Sequence, residues 1–131
     1  MYTSNYRISG NNPNAVAISV YPPKSFMGRS LKMLAPNWKD VKDIRNGVIT
    51  EHQYAINYFN KLDNLELTAA ELVAMLPTDS ILLCYEDPFD FCHRRLVAMW
   101  IENETGVIIP ELLPDNNYKK QQTFIDTTLD F

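Results

Sequence analysis

No apolar stretch in this sequence approaches the roughly 20 residues that a membrane-spanning helix requires, so insertion in a bilayer is not expected. Cysteine is scarce, at two residues, and the polar segment from Met1 to Gly10 does not resemble a secretory signal. A disulfide framework is therefore not expected, and both thiols are expected to face a reducing cytoplasm. Positive charge is not in excess either: 12 Lys and Arg against 16 Asp and Glu give a net charge of −4, which does not support bulk attraction to nucleic acid. A Walker phosphate loop, a glycine-rich dinucleotide fingerprint, a nucleophile-elbow serine and the paired spacing of a zinc site are all missing. On spacing alone, no metal site is expected and no cofactor is assigned.

The 131 residues suit one compact domain, large enough to bury a core without disulfides. Asn14 to Tyr21 is rich in small and branched apolar residues and stops at Pro22-Pro23, which predicts a first buried strand. Pro23 to Pro36 reads as a long loop. Asn37 is placed to cap a helix from Trp38 to Asn46, with Gly47 at its left-handed end. Thr50 opens an amphipathic helix carrying Tyr54, Tyr58 and Leu62. Thr68 and Glu71 form a capping-box pair for another, closed by Pro77. Ser80 to Glu86 predicts a central strand, Cys92 to Glu104 a helix ended by Gly106, and Val107 to Ile109 a short strand leading to Glu111. Strands alternating with helices predict an α/β fold: a three-layer Rossmann-like domain with a small, mainly parallel sheet flanked by helices. The domain is expected over residues 1–112, with a peripheral tail over 113–131; no repeat or composition break marks a second domain.

Chemistry concentrates where the central strand meets the following helix. Leu82, Cys84 and Glu86 should share one strand face. Cys84, among leucines, reads as a small hydrophobe. Glu86, at a buried strand end, needs an arginine or a ligand as partner. With Asp90 as cap, Cys92 would fall in the first helical turn, where the dipole and nearby cations lower a thiol's proton affinity. Cys92 is thus the candidate nucleophile, against a structural cysteine. His93 shares a helical side with Val97, Trp100 and Ile101, so it is either a core histidine or a general base. Arg94 is placed to grip Glu86 or a substrate carboxylate or phosphate, whereas Arg95, with Met99 and Glu102, reads as solvent-facing. Cys84, Cys92, His93, Glu86 and the distant His52 carry suitable zinc donors without a zinc-site pattern.

Cys84-Tyr85-Glu86 followed by Phe91-Cys92-His93-Arg94 closely resembles the signature of the domain-of-unknown-function 488 (YeaO-like) family. Tyr2-Thr3-Ser4, Ala17-Ile18-Ser19 with Pro22, Leu34-Ala35-Pro36, Tyr54 with Tyr58, and Glu111 resemble family landmarks in the same order, so the likeness covers nearly the whole chain. It implies a compact Rossmann-like α/β domain with Glu86, Cys92, His93 and Arg94 at its most characteristic region, and it implies no particular reaction. Relatives often carry a basic residue and a glycine where this chain has Asp87-Pro88-Phe89-Asp90, and the added acid weakens an anion cradle there.

Two functions compete on these residues. The first is an enzyme acting on a small anionic or nucleotide-like molecule, with Cys92 as nucleophile, His93 or Glu86 moving protons and Arg94 binding an anionic group. The alternative is a non-catalytic interaction module in which Glu86 and Arg94 form a structural pair and the Phe26 to Trp38 loop meets a partner. In the tail, Asp126, Leu129 and Phe131 resemble a short sliding-clamp-binding peptide, against the plainer reading of a tail docked on its own domain.

Overall fold

The computed structural model describes residues 1–114; the tail residues weighed for clamp binding lie outside the described residues. The fold is α/β, with a small four-stranded sheet, parallel throughout, and five α-helices in Rossmann-like layering. In chain order the elements are β1 (Tyr2–Asn5), α1 (Tyr6–Ser9), β2 (Ala15–Ala17), β3 (Arg29–Ser30), a 3-10 turn (Lys32–Leu34), α2 (Trp38–Arg45), α3 (Glu51–Asp63), α4 (Ala69–Met75), β4 (Ile81–Cys84) and α5 (His93–Thr105). The sheet order is β1-β4-β2-β3. β4 is therefore central, with Leu82 beside Thr3 on one flank and Val16 on the other.

Sequence chemistry explains most of these boundaries. Thr50 and Thr68 each cap a helix with a complete capping box, to Gln53 and Glu71 respectively. Gly106 ends α5 and Gly47 follows α2, both with the positive φ that glycine adopts without a Cβ clash. Asn37 precedes α2 as expected, although its side chain makes no capping bond.

Three segments differ from the expectation. β1 lies in the polar N-terminal stretch, so the strand at Ala15–Ala17 is the second in the chain. Thr3, Ser4 and Asn5 are buried because each polar side chain finds a partner: Thr3 donates to Glu111, Ser4 pairs with Ser9, and Asn5 donates to the Glu86 carbonyl. β3 is a two-residue edge strand inside the expected long loop. Val107 to Ile109 forms no strand; the chain instead touches β1 through a single parallel bridge between Thr3 and Glu111, with Thr3 N–H donating to Pro110 O and Leu112 N–H to Thr3 O.

The main core lies on one sheet face, where Val16 and Leu82 meet Tyr58, Leu62 and Leu72 and the α5 residues Leu96, Val97 and Ile101. The opposite face buries Ala15, Ile81 and Leu83 beneath Tyr2, Tyr6, Phe26 and Leu112. No helix among the described residues is long and apolar enough to cross a membrane.

A cysteine, histidine and carboxylate cluster at the end of the central strand

β4 ends at Cys84, beyond which the chain bends through Tyr85 and Glu86 and re-enters regular structure at α5. This is the carboxyl end of the central parallel strand, where open α/β sheets present their ligand sites. Cys92 is the N-cap of α5, with extended backbone and no capping bond from its side chain. The helix thus begins one residue later than expected, at His93. Cys92 is buried, and burial, reinforced by hydrogen bonding to and the charge of Cys84, pushes its thiol well above the usual range. The expected low proton affinity of Cys92 is not met.

Of the two cysteines, Cys84 is the one whose proton affinity is lowered. Burial opposes ionisation there, but the Cys92 thiol hydrogen-bonds to its sulfur, and the charges of Arg94 and His93 outweigh the desolvation, holding Cys84 well below the thiol range. The Arg94 Nη1 group donates to Cys84 Sγ at 3.0 Å. Reading Cys84 as a hydrophobe among leucines therefore gives way, because at the end of this strand face the Arg94 guanidinium meets its sulfur.

His93 is buried, with Nε2 2.7 Å from the Ile18 carbonyl. A carbonyl only accepts, so Nε2 carries the proton and Nδ1 is the ring atom left for Cys84 and Glu86. Burial opposes protonation of the ring, yet the Cys84 charge and hydrogen bond raise its proton affinity overall. Glu86 is half-buried, and desolvation, followed by the charge of Cys84, raises its carboxyl. One donor atom from each of Cys84, Glu86 and His93 lies within 4.8 Å of the others. The fold thus assembles a metal-capable set from residues whose spacing, Cys-x-Glu and a His seven residues on, matches no metal pattern.

Arg94 does not pair with Glu86. Its Nε and Nη2 fork meets both oxygens of Glu111, at 2.9 and 2.7 Å for the shorter bonds, and both side chains are almost fully buried. Nothing of the fork is left for a substrate anion, which corrects the expected binding role. Arg95, expected in solvent, is also buried: its Nη1 donates to Thr3 Oγ1 and to the Ile109 carbonyl, each at 2.7 Å. Thr3 in turn donates to Glu111 at 2.6 Å. A continuous polar network therefore runs from Arg95 through Thr3 and Glu111 to Arg94 and ends on Cys84. His52 is exposed on α3 and is not among the converging donors or the cavity lining.

Cys84, Glu86, Cys92 and His93 line a cavity of about 840 Å³. Aromatic rings form much of its wall: Tyr21 meets Trp38 edge-on at 5.0 Å, and Tyr54 meets Phe91 edge-on at 5.5 Å. Arg45 sits over the Trp38 ring, 5.9 Å from its centroid. Around the lining, Arg45 is set against Glu51, Glu86 and Asp90, while Asp87 is paired with Arg7 at 2.6 Å. This balance disfavours a strongly anionic ligand and suits a flat neutral or weakly cationic one that stacks on aromatic faces.

Sequence reasoning missed Thr3, Arg95 and Glu111 as parts of the network, and Tyr21, Trp38 and Tyr54 as cavity wall. The available signal for Glu111 was a carboxylate directly after the apolar Val107 to Pro110 run, a position that demands a buried cation. The aromatic wall, with Phe91, comes from four separate segments and left no local pattern. Comparison with family models, curated proteins and solved structures returns no match to this chain.

Proposed function

We propose that this chain is a cytoplasmic enzyme of the domain-of-unknown-function 488 (YeaO-like) family that acts on a small, flat, nucleobase-like molecule. The observation that carries the reading is the convergence of Cys84, Glu86 and His93 donor atoms within 4.8 Å at the wall of an aromatic-lined cavity. A substrate ring stacked against Trp38, Tyr21 or Tyr54 would present its edge to these groups. Glu86, which lines the cavity and has a raised proton affinity, moves the proton. Cys84 and His93 form the reacting end. Arg94 is a positioning residue: held by Glu111, it fixes the Cys84 sulfur without touching substrate. Cys92 supports Cys84 and is no longer the preferred nucleophile. The alternative, a non-catalytic interaction module, draws on the buried Arg94 pair, now with Glu111 in place of Glu86.

Incubating the purified chain with a panel of nucleobases and nucleosides, with products followed by mass spectrometry, tests the reading. Conversion of at least one ring class is expected, falling about 10²-fold or more in Glu86→Gln. An inert wild-type chain that also binds none of the panel would overturn it in favour of the interaction module.

A further inference from the structure

We propose that Cys84, Glu86 and His93 form a binding site for a single zinc-class divalent cation whose remaining coordination position opens into the aromatic cavity. The inference deepens the enzyme reading and rests on the same cluster being the reacting end of the cavity; with a cation bound, Glu86 would serve as its ligand rather than as a free proton carrier.

The donor set is the first argument. A thiolate, an imidazole nitrogen and a carboxylate oxygen are the side-chain ligands that zinc takes, and three protein ligands with one open position distinguish catalytic sites from closed structural ones. Ligand bonds of about 2.0 to 2.3 Å place tetrahedral donors roughly 3.5 Å apart, so the observed 4.8 Å envelope needs an inward shift on the order of 1 Å. Glu86 is half-buried beyond the end of β4 and can make that shift by side-chain rotation, while Cys84 and His93 are fixed by β4 and α5.

The surrounding contacts are the second argument. Metal-bound histidines almost always donate their other ring N–H to a carbonyl or carboxylate, which fixes the tautomer. His93 does so to Ile18 O at 2.7 Å, leaving the Nδ1 lone pair for the cation. Arg94 Nη1 donates to Cys84 Sγ at 3.0 Å, a contact that favours the thiolate ligand and fixes its direction, while Glu111 balances the guanidinium charge. All three ligands line the cavity, so a bound cation would meet whatever enters it.

The test measures metal without any substrate, so its failure and that of the enzyme reading are separable. The full chain, produced with added zinc and dialysed against metal-free buffer, is assayed for metal by mass spectrometry. It is then stripped with a chelator and titrated with Co²⁺ in an absorption spectrometer. The expected results are one zinc per chain and a thiolate-to-cobalt charge-transfer band that Cys92→Ser retains and Cys84→Ser loses. Glu86→Gln, a same-shape change at a half-buried position, should weaken cobalt binding more than about tenfold. A folded wild-type chain with negligible zinc and no thiolate band overturns the metal site, as does undiminished cobalt affinity in Glu86→Gln. If ring conversion survives chelation in that case, the enzyme reading stands without the metal.

Discussion

Arg94 and Glu111 show how one buried pair can organise a region. Removing a buried charge from water costs several kcal/mol, and the fork geometry on both Glu111 oxygens, with Thr3 on one of them, offsets that cost. Arg94→Ala strands the Glu111 carboxylate and should lower stability by about 3 to 5 kcal/mol in chemical denaturation. Glu111→Gln should lose less, because the amide still accepts from one guanidinium nitrogen. Equal losses would mean that the pair's charge is immaterial. At the two cysteines the expectation is asymmetric: Cys84→Ser should abolish ring conversion, whereas Cys92→Ser should weaken it by no more than about tenfold, since Cys92 lines the cavity but is not one of the three converging donor residues. The opposite ranking in turnover would restore Cys92 as nucleophile. The sequence pointed to this junction because four reactive side-chain types fall within a few residues of one strand end. The contact that sets the two cysteines apart was not legible there, since the Arg94 guanidinium that donates to Cys84 Sγ is held in place by Glu111, seventeen residues on.

The four longer helices announced themselves through local chemistry, whereas the short α1 did not. Thr50 with Gln53 and Thr68 with Glu71 close their capping boxes as their spacing requires, and Gly106 adopts the left-handed conformation at the end of α5. Thr68→Ala should cost about 1 kcal/mol, read as a lower melting temperature, with Thr68→Ser restoring most of it. No loss would show that α4 is held by packing alone. β1 was hidden because its burial is polar: Thr3, Ser4 and Asn5 show no apolar alternation, and their partners lie as far off as Glu111. The short α1 is tied to the end of β2 by the Tyr6 hydroxyl and Ser19, and Tyr6 packs edge-on against Phe26. Desolvation, the leading cause, pushes Tyr6 up to about 12 from 10.0. The folded state therefore favours the neutral phenol; its contribution is complete below pH 10 and is lost as pH rises from about 10 to 12. Stability measured across that window should fall less steeply in Tyr6→Phe than in the wild type. Parallel curves would remove Tyr6 from the alkaline loss.

For the molecule as a whole, sheet order sets the location of chemistry. Placing β4 between β1 and β2 brings its carboxyl end beneath a cavity walled by the segments after β2 and β4 and by helices α2 and α3. The alternating strand and helix pattern was enough to predict a parallel sheet, and the cavity does lie at this strand end. The cavity's character was not legible in it, because Tyr21, Trp38, Tyr54 and Phe91 become neighbours only when the layers close. On the proposed reading, its acidic rim favours a flat ring over an anion. The most direct measurement is a heteronuclear NMR titration of the isotope-labelled chain with nucleobases. Saturable shifts concentrated on Glu86, His93, Tyr54 and the Trp38 indole are the predicted result; a titration that leaves all four unmoved across the panel would contradict the account.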